Sequence, residues 1–401
     1  MFSSIKTAEE AILTLQEWGF PVPIAYGPGR LAEIGTRCNG MGLANPLVVT
    51  DAGSRDLPFI ARLVTYLEAA GLKTAVFSGI SPNPRDDEIG AGRRMFREGG
   101  HDAVIAIGGG SGMDGGKAVC LTANNDIDLW AFEYEQSPPA IAKGQPFPTL
   151  ICIPTTAGTG AETESTAMVT HLGKQMKFCV WHPTLKPALA LLDPELTLGL
   201  PPRLTAWTGA DALTHAIEAY SVPGLSPLCD GIALEGLRLI ARWLPIAVRE
   251  PANLQARGGL LLGSCLGGIA FLKGLGLVHA IAHVVGAEYN THHGLTNAVL
   301  LPHVLRYNLP ALPEKIAPMA QAMGLEATDG AALLAAVERL LADIGIPQDA
   351  ASVRVPADSI GRLSRKSMLD SAFATNPRVA TMEDLNRILT EALVQQPHPT
   401  G

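Results

Sequence analysis

No two of the six cysteines (Cys38, Cys120, Cys152, Cys179, Cys229, Cys265) form a C-x-x-C pair, and several sit in apolar runs where a thiol behaves as a small core residue. That usage fits a reducing compartment. Lys and Arg gather on no stretch and the net charge is −8, so the chain carries no electrostatic footprint for nucleic acid or for an anionic membrane. Long hydrophobic runs are missing too. The longest, 258–272, is Gly-rich, falls short of the ~18 residues of a membrane span and stops at Lys273, which predicts a buried helix. The opening MFSSIKTAEEAILTLQEWGF has acidic residues in an amphipathic pattern and no n-region, h-region and cleavage site, so no signal peptide is expected. Repeats and low-complexity segments are absent. A soluble cytoplasmic protein without nucleic-acid or membrane partners is the expectation.

What is present is a chain of 401 residues, 47% hydrophobic and 17% charged, which can bury more than one ordinary core. Between residues 46 and 110 the short apolar runs PLVVTD, TAVFSG and AVIAIGGG alternate with segments of helical period. This is the βαβ rhythm, and continuous Val/Ile/Ala runs imply strands buried on both faces of a parallel sheet. TLICIPTT at 149–156 and ALALLD at 188–193 extend it, and STAMVTHLGKQMKFCVWHP reads as a hairpin turning near Leu172-Gly173-Lys174. After Asp193-Pro194 β-branched runs give way to apolar residues at i, i+3, i+4. The expected architecture is therefore an α/β Rossmann-like domain over residues 1–195 and an all-α domain over 196–401. TMEDLNRILTEAL at 381–393 should be a helix with Thr381 and Asp384 in capping-box positions, and QQPHPTG should fray.

Two constellations carry chemistry. In DAVIAIGGGSGMDGGKAV, Gly108, Gly109 and Gly110 end a buried strand just before a helix, where glycines let backbone approach a pyrophosphate and the helix N-terminus favours the anion. The ordinary Rossmann fingerprint is not satisfied, since the run lies on the third strand of the domain instead of the first. Asp51 ends LVVTD, where a carboxylate can accept from a ribose 2′-hydroxyl, which leans towards NAD over NADP. The second constellation is TGADALTHAIEAY followed by HAIAHVVGAEYNTHHG. Asp211 and His215 share one helix face, and His279, His283, His292 and His293 fall within fifteen residues. A carboxylate with imidazoles suits Zn²⁺ or Fe²⁺, and a cation with an open position acts as a Lewis acid on an alcohol or carbonyl oxygen. Nicotinamide and metal would meet in a cleft between the two domains.

The blocks YGPGRLAEIG, GGGSGMDGGKAV, IPTTAGTGAETE, DPELTLGLPPRLTAWTGADALTHAIEAY, HAIAHVVGAEYNTHHG and TNPRVATMEDLNRIL stand in an order that resembles the iron-dependent (group III) alcohol dehydrogenase family. The resemblance covers almost the whole chain. It implies NAD-linked hydride transfer between a small alcohol and an aldehyde, Fe²⁺ or else Zn²⁺ as cofactor, and a homodimer. It also implies Asp211, His215, His279 and His293 as ligands, with His283 as a proton relay. Gly109, Gly110 and Ser111 would hold the pyrophosphate, with Asp114 beside the cofactor and, with His283, among the catalytic groups. Thr155, Thr156, Thr159 and Lys177 would line the ribose and adenine side. His292 and Gly112 stand where the family usually has Pro. A glycerol-dehydrogenase-like or dehydroquinate-synthase-like NAD and metal enzyme is the alternative; the second needs a pocket rich in cations, whereas only Lys273 and Arg203 lie near the metal motifs.

Overall fold

The computed structural model describes residues 16–18, 21–347 and 353–394. The readings of the opening segment, apart from residues 16–18, and of the QQPHPTG tail lie outside the described residues. Contacts divide the chain into two compact units: Met1–Thr156 with Gly160–Gly199 and Ala252–Leu261, and Ala157–Thr159 with Leu200–Pro251 and Leu262–Gly401.

The first unit is built on a seven-stranded sheet of order β1-β2-β9-β6-β5-β3-β4. Its strands are β1 Gln16–Trp18, β2 Ile24–Tyr26, β3 Pro46–Asp51, β4 Ala75–Ile80, β5 Ala103–Gly108, β6 Thr149–Pro154 and β9 Leu189–Leu192. Six of them run parallel, and β1 pairs antiparallel with β2 at the edge. The continuous apolar runs have the consequence drawn from them: Leu47, Val49, Val104, Ala106, Leu150 and Cys152 pack into one core, while Val48, Ile105, Ile107, Ile151 and Ile153 pack into another. Successive side chains point to opposite faces, so only a strand covered on both sides needs every residue apolar. Helices Pro58–Ala69, Asp86–Glu98 and Gly110–Ala123 make the crossovers. Strands β7 Thr166–His171 and β8 Met176–Trp181 form the antiparallel hairpin read from the sequence.

Strand order decides where such a sheet binds ligands. From β3 the chain crosses to β4 on one side and later to β5 on the other, so the switch point lies between the C-terminal ends of β3 and β5. Crevices outside the strand ends at switch points are where open α/β sheets hold ligands. Asp51 and Gly108 are the residues that end those two strands.

The second unit is helical throughout its described residues. Helix Pro202–Ser221 opens with Pro in its first turn and is buried continuously from Gly209 to Ser221, the signature of a helix at the centre of a core. Leu277–Tyr289 and His293–Asn308 follow it, separated by a turn in which Asn290 adopts φ 51°. Helix Met382–Leu393 carries the expected capping box, with Thr381 Oγ1 accepting from the Asp384 N–H at 3.2 Å. The apolar stretch forms helix Leu254–Ala270, and 72% of its most apolar window is buried inside the protein.

Candidate dinucleotide and metal sites

In the first unit the glycines end β5 and start helix Gly110–Ala123. Gly108 sits at φ 144°, a value L side chains rarely adopt, and a Cβ there would lie 3.0 Å from Asp51 Oδ2. Gly109 is the N-cap and has no side chain to offer. The first N–H groups of the helix are left for an incoming acceptor. The strand-to-helix turn is thus a cradle lined by backbone.

The other predicted residues of this unit fall around that turn. The Asp51 carboxylate accepts from the Ser54 N–H at 3.0 Å and from Ser54 Oγ at 2.7 Å, a local turn that fixes its position. Ser111 Oγ donates to the Pro82 carbonyl at 2.6 Å, so its contribution to the cradle is backbone. Thr155 is buried and its N–H bonds the Gly108 carbonyl at 2.9 Å. Thr156 Oγ1 is buried without a partner, and its methyl would lie 3.4 Å from a Cβ on Gly109. A hydroxyl orphaned beside an open cradle is what a phosphate or ribose oxygen would satisfy. Asp114 lies 3.4 Å from Lys117 Nζ; burial pushes its carboxyl up, while Lys117 and Lys177 pull it back down. Thr159 belongs to the second unit.

In the second unit Asp211 Oδ1 lies 3.9 Å from His215 Nε2, 3.7 Å from His279 Nε2 and 3.6 Å from His293 Nε2. The donor atoms of Asp211, His215 and His279 all lie within 4.8 Å of one another, and all three residues are buried. The ligand set implied by resemblance is thereby brought together, with His293 on the solvent side at 28% side-chain exposure. His292 does otherwise: its Nδ1 caps the next helix by accepting from the Leu295 N–H, and its ring packs on Trp207 at 4.8 Å.

The groups behind the cluster fix its chemistry. His279 Nδ1 faces Glu218 Oε2 at 2.6 Å and His215 Nδ1 faces the Gly158 carbonyl at 3.2 Å. A proton on the Nδ1 that faces each acceptor would leave the Nε2 lone pair aimed inward. Burial, then the neighbouring His215, hold the His279 pKa well below 6.5, so its imidazole is neutral, the form that ligates. Burial pushes Glu218 up to about 7 against the pull of the Val278 and Gly276 N–H groups. Asp211 is 2% exposed and, among the described residues, no Lys or Arg reaches it; Asn297 Nδ2 donates to its Oδ1 at 2.6 Å. A carboxylate buried here without a Lys or Arg partner would cost several kcal/mol as it stands. A divalent cation fits this donor set. Asn297 Oδ1 is a further buried atom without a partner there.

His283 lies on the same helix one turn beyond His279, its ring stacked on His293 at 5.5 Å. Its Nδ1 is 3.0 Å from Asp370 Oδ2, which leaves Nε2 free for proton exchange. Sequence reading missed Glu218, Asn297 and Asp370. The first two carry a signal, since they follow His215 by three and His293 by four on the same helices. Asp370 is 87 residues from His283 and has none.

Comparison with known proteins agrees with this geometry. Residues 21–194 match the model of the iron-containing alcohol dehydrogenases, and residues 205–393 match that of the C-terminal part of the same family. The 1,3-propanediol dehydrogenase of Citrobacter freundii is 38% identical, over 92% of this chain and 96% of that protein. A solved 1,3-propanediol oxidoreductase superposes with a TM-score of 0.88 at 36% identity, covering 95% of this chain and 100% of the other. Sulfoacetaldehyde reductase from Bifidobacterium kashiwanohense, solved in complex with NAD⁺, gives 0.84 at 29% identity over 96% and 100%. A match of this extent, joined to a carboxylate–imidazole cluster on its helices and a glycine cradle on its sheet, makes the chain a member of the iron-containing alcohol dehydrogenase family.

Proposed function

We propose that the chain interconverts a small alcohol and its aldehyde, with NAD as hydride carrier and a divalent cation held by Asp211, His215, His279 and His293. The observation that carries this reading is the buried, cation-poor Asp211 with three imidazole Nε2 atoms between 3.6 and 3.9 Å from its carboxylate. Fe²⁺ is the cation the family points to, and Zn²⁺ the competitor the donor set also accepts. When bound, the cation supplies Lewis-acid polarisation of the alcohol or carbonyl oxygen, and the nicotinamide takes or gives the hydride.

The protein's own groups do the rest. Asp211 supplies negative charge and the three imidazoles supply directional lone pairs. His283, its Nδ1 proton fixed by Asp370, offers Nε2 to the proton that leaves the alcohol and passes it to solvent. The backbone of Gly109, Gly110 and Ser111 and the helix they start bind the pyrophosphate, with Asp114 beside the cofactor and the Thr155, Thr156 and Thr159 side chains, Asp51 and Lys177 on the ribose and adenine side. Asp51 favours NAD over NADP because a 2′-phosphate would meet its carboxylate. Neighbours named as dehydrogenases of propanediol and methanol and as a reductase of lactaldehyde support a short substrate, and the scarcity of Lys and Arg near the metal motifs favours an uncharged one. The same reading takes the protein as a cytoplasmic homodimer of two-domain chains divided near residue 195; light scattering of the purified protein reads the dimer directly.

The test is anaerobic purification with metal analysis, followed by an NADH-linked assay over short alcohols, diols and aldehydes. Bound iron or zinc with turnover on at least one class is the expected result. A metal-loaded protein inactive on the whole panel would overturn the substrate class, and one that takes up no cation would overturn the site.

A further inference from the structure

Helix Pro202–Ser221 carries Asp211, then His215, and three residues later Glu218, which is 4% exposed. Its carboxylate is turned towards the start of helix Leu277–Tyr289. Oε2 meets His279 Nδ1 at 2.6 Å, and Oε1 accepts the Val278 N–H at 2.8 Å. Among the described residues no Lys or Arg pairs with it. The second helix needs an acceptor there, because its N-cap is Gly276, which has no side chain, and its first N–H groups have no partner within the helix. Asn376 Oδ1 takes another of them, the Leu277 N–H, at 3.2 Å. Glycine is required at 276 by close approach: a Cβ would stand 2.8 Å from Glu218 Oε1 and 2.9 Å from Asn376 Oδ1.

We propose that Glu218 is the positioning residue of the metal centre. One oxygen fixes His279 as the Nδ1–H tautomer, so that Nε2 presents a lone pair to the cation. The other locks the helix bearing His279 and His283 to the helix bearing Asp211 and His215. The inference rests on the proposed ligand set, but it assigns a role to a residue outside that set. A neutral imidazole has one N–H, so whichever nitrogen Glu218 occupies decides which is left for a metal. Carboxylates placed behind metal-bound imidazoles also raise their basicity, and losing one weakens metal binding by ~10–100-fold.

Glu218→Gln separates the two tasks. The amide oxygen can still accept the Val278 N–H, so the helix cap survives. The amide nitrogen would face His279 Nδ1–H donor to donor, and the relief is the other tautomer, which puts the proton on Nε2 where the cation binds. Chelator competition with Zn²⁺ and Fe²⁺, run on wild type and on E218Q, should show a dissociation constant raised about 10–100-fold, while the melting temperatures of the chelated proteins stay within a few degrees of each other. An E218Q protein that binds either cation within twofold of wild type would overturn the proposal. Should E218Q fail to fold, the wild type decides through ¹⁵N resonances of labelled histidine, with His279 identified by its loss in H279Q. A neutral Nδ1–H signal in the chelated protein is expected, and an Nε2–H signal overturns the assignment. If wild type itself binds no cation, the ligand set of the proposed function falls first, so the two failures are distinguishable.

Discussion

The turn after β5 offers a ligand backbone, glycines and the first N–H groups of a helix, whereas the proposed centre on helices Pro202–Ser221, Leu277–Tyr289 and His293–Asn308 offers side chains, with His279, His215 and Asp211 each held from behind by another residue. The first kind of site depends on space and conformation. The second depends on single atoms and on the tautomer of each ring. Substitutions in the two should therefore fail differently: in the sheet unit by a shifted turn and weaker cofactor binding, in the helical unit by loss of the cation at nearly constant fold.

The largest effect is expected from Asp211→Ala or His279→Ala. Each removes a ligand from a site whose cation is worth several kcal/mol of transition-state stabilisation, so turnover should fall at least about 1000-fold and metal analysis should show the ion gone, with far-ultraviolet circular dichroism unchanged. Metal retained with full turnover in either variant would erase the distinction between the sites. Next come His283→Ala and Asp370→Asn, neither of which is a proposed ligand. They should keep their metal and lose about 100-fold or more in kcat with little change in KM, the size of a lost acid–base group. Loss of metal in both would instead make the pair structural.

Gly112→Ala probes the sheet unit. A Cβ there would stand 2.9 Å from the Ile107 carbonyl and 3.3 Å from the Asp51 nitrogen, and backbone cannot move aside as a side chain can. A cost of about 1–3 kcal/mol and a raised KM for NAD are expected, with metal content untouched. An unchanged KM would mean that the turn is not what holds the cofactor. The smallest effect is read as pH dependence. Burial, reinforced by Glu162 and opposed by Lys117, pushes the Glu164 carboxyl from 4.5 up to about 8. The folded protein then binds this proton more tightly than the unfolded chain, so its stabilisation is complete below about pH 4.5 and is lost as pH rises through about 8. Glu164→Gln has no such loss. Its free energy of unfolding should gain on that of wild type between pH 5 and pH 8, by a few kcal/mol at most, and a constant difference would contradict the burial.

Why one site was more legible than the other follows from the same contrast. Parallel strands announce themselves because burial on both faces forces runs such as AVIAIG, and the glycine turn follows the third of them. Strands β1 and β2 are not legible: at three residues each they have no room for a pattern, and β2 exists through its pairing with β9, more than 160 residues away. In the helical unit, His clustering and i, i+4 spacing exposed Asp211, His215, His279 and His283. The choice of His293 over His292 rests on family likeness alone, and the sequence does not show that His292 spends its Nδ1 on capping helix His293–Asn308 and its ring on Trp207. The partners behind the ligands were invisible because hydrogen bonds such as His283–Asp370 and His279–Glu218 join residues 87 and 61 positions apart.

A cation that completes the charge of Asp211 is tested most directly by one titration. Protein stripped by chelator under anaerobic conditions is given Fe²⁺ stepwise while NADH formation is followed. NADH formation should be absent at the start, rise in proportion to the ion and level off near about one per chain, as a single Lewis-acid site requires, while His279→Ala stays flat. Turnover that survives complete removal of the metal would contradict it.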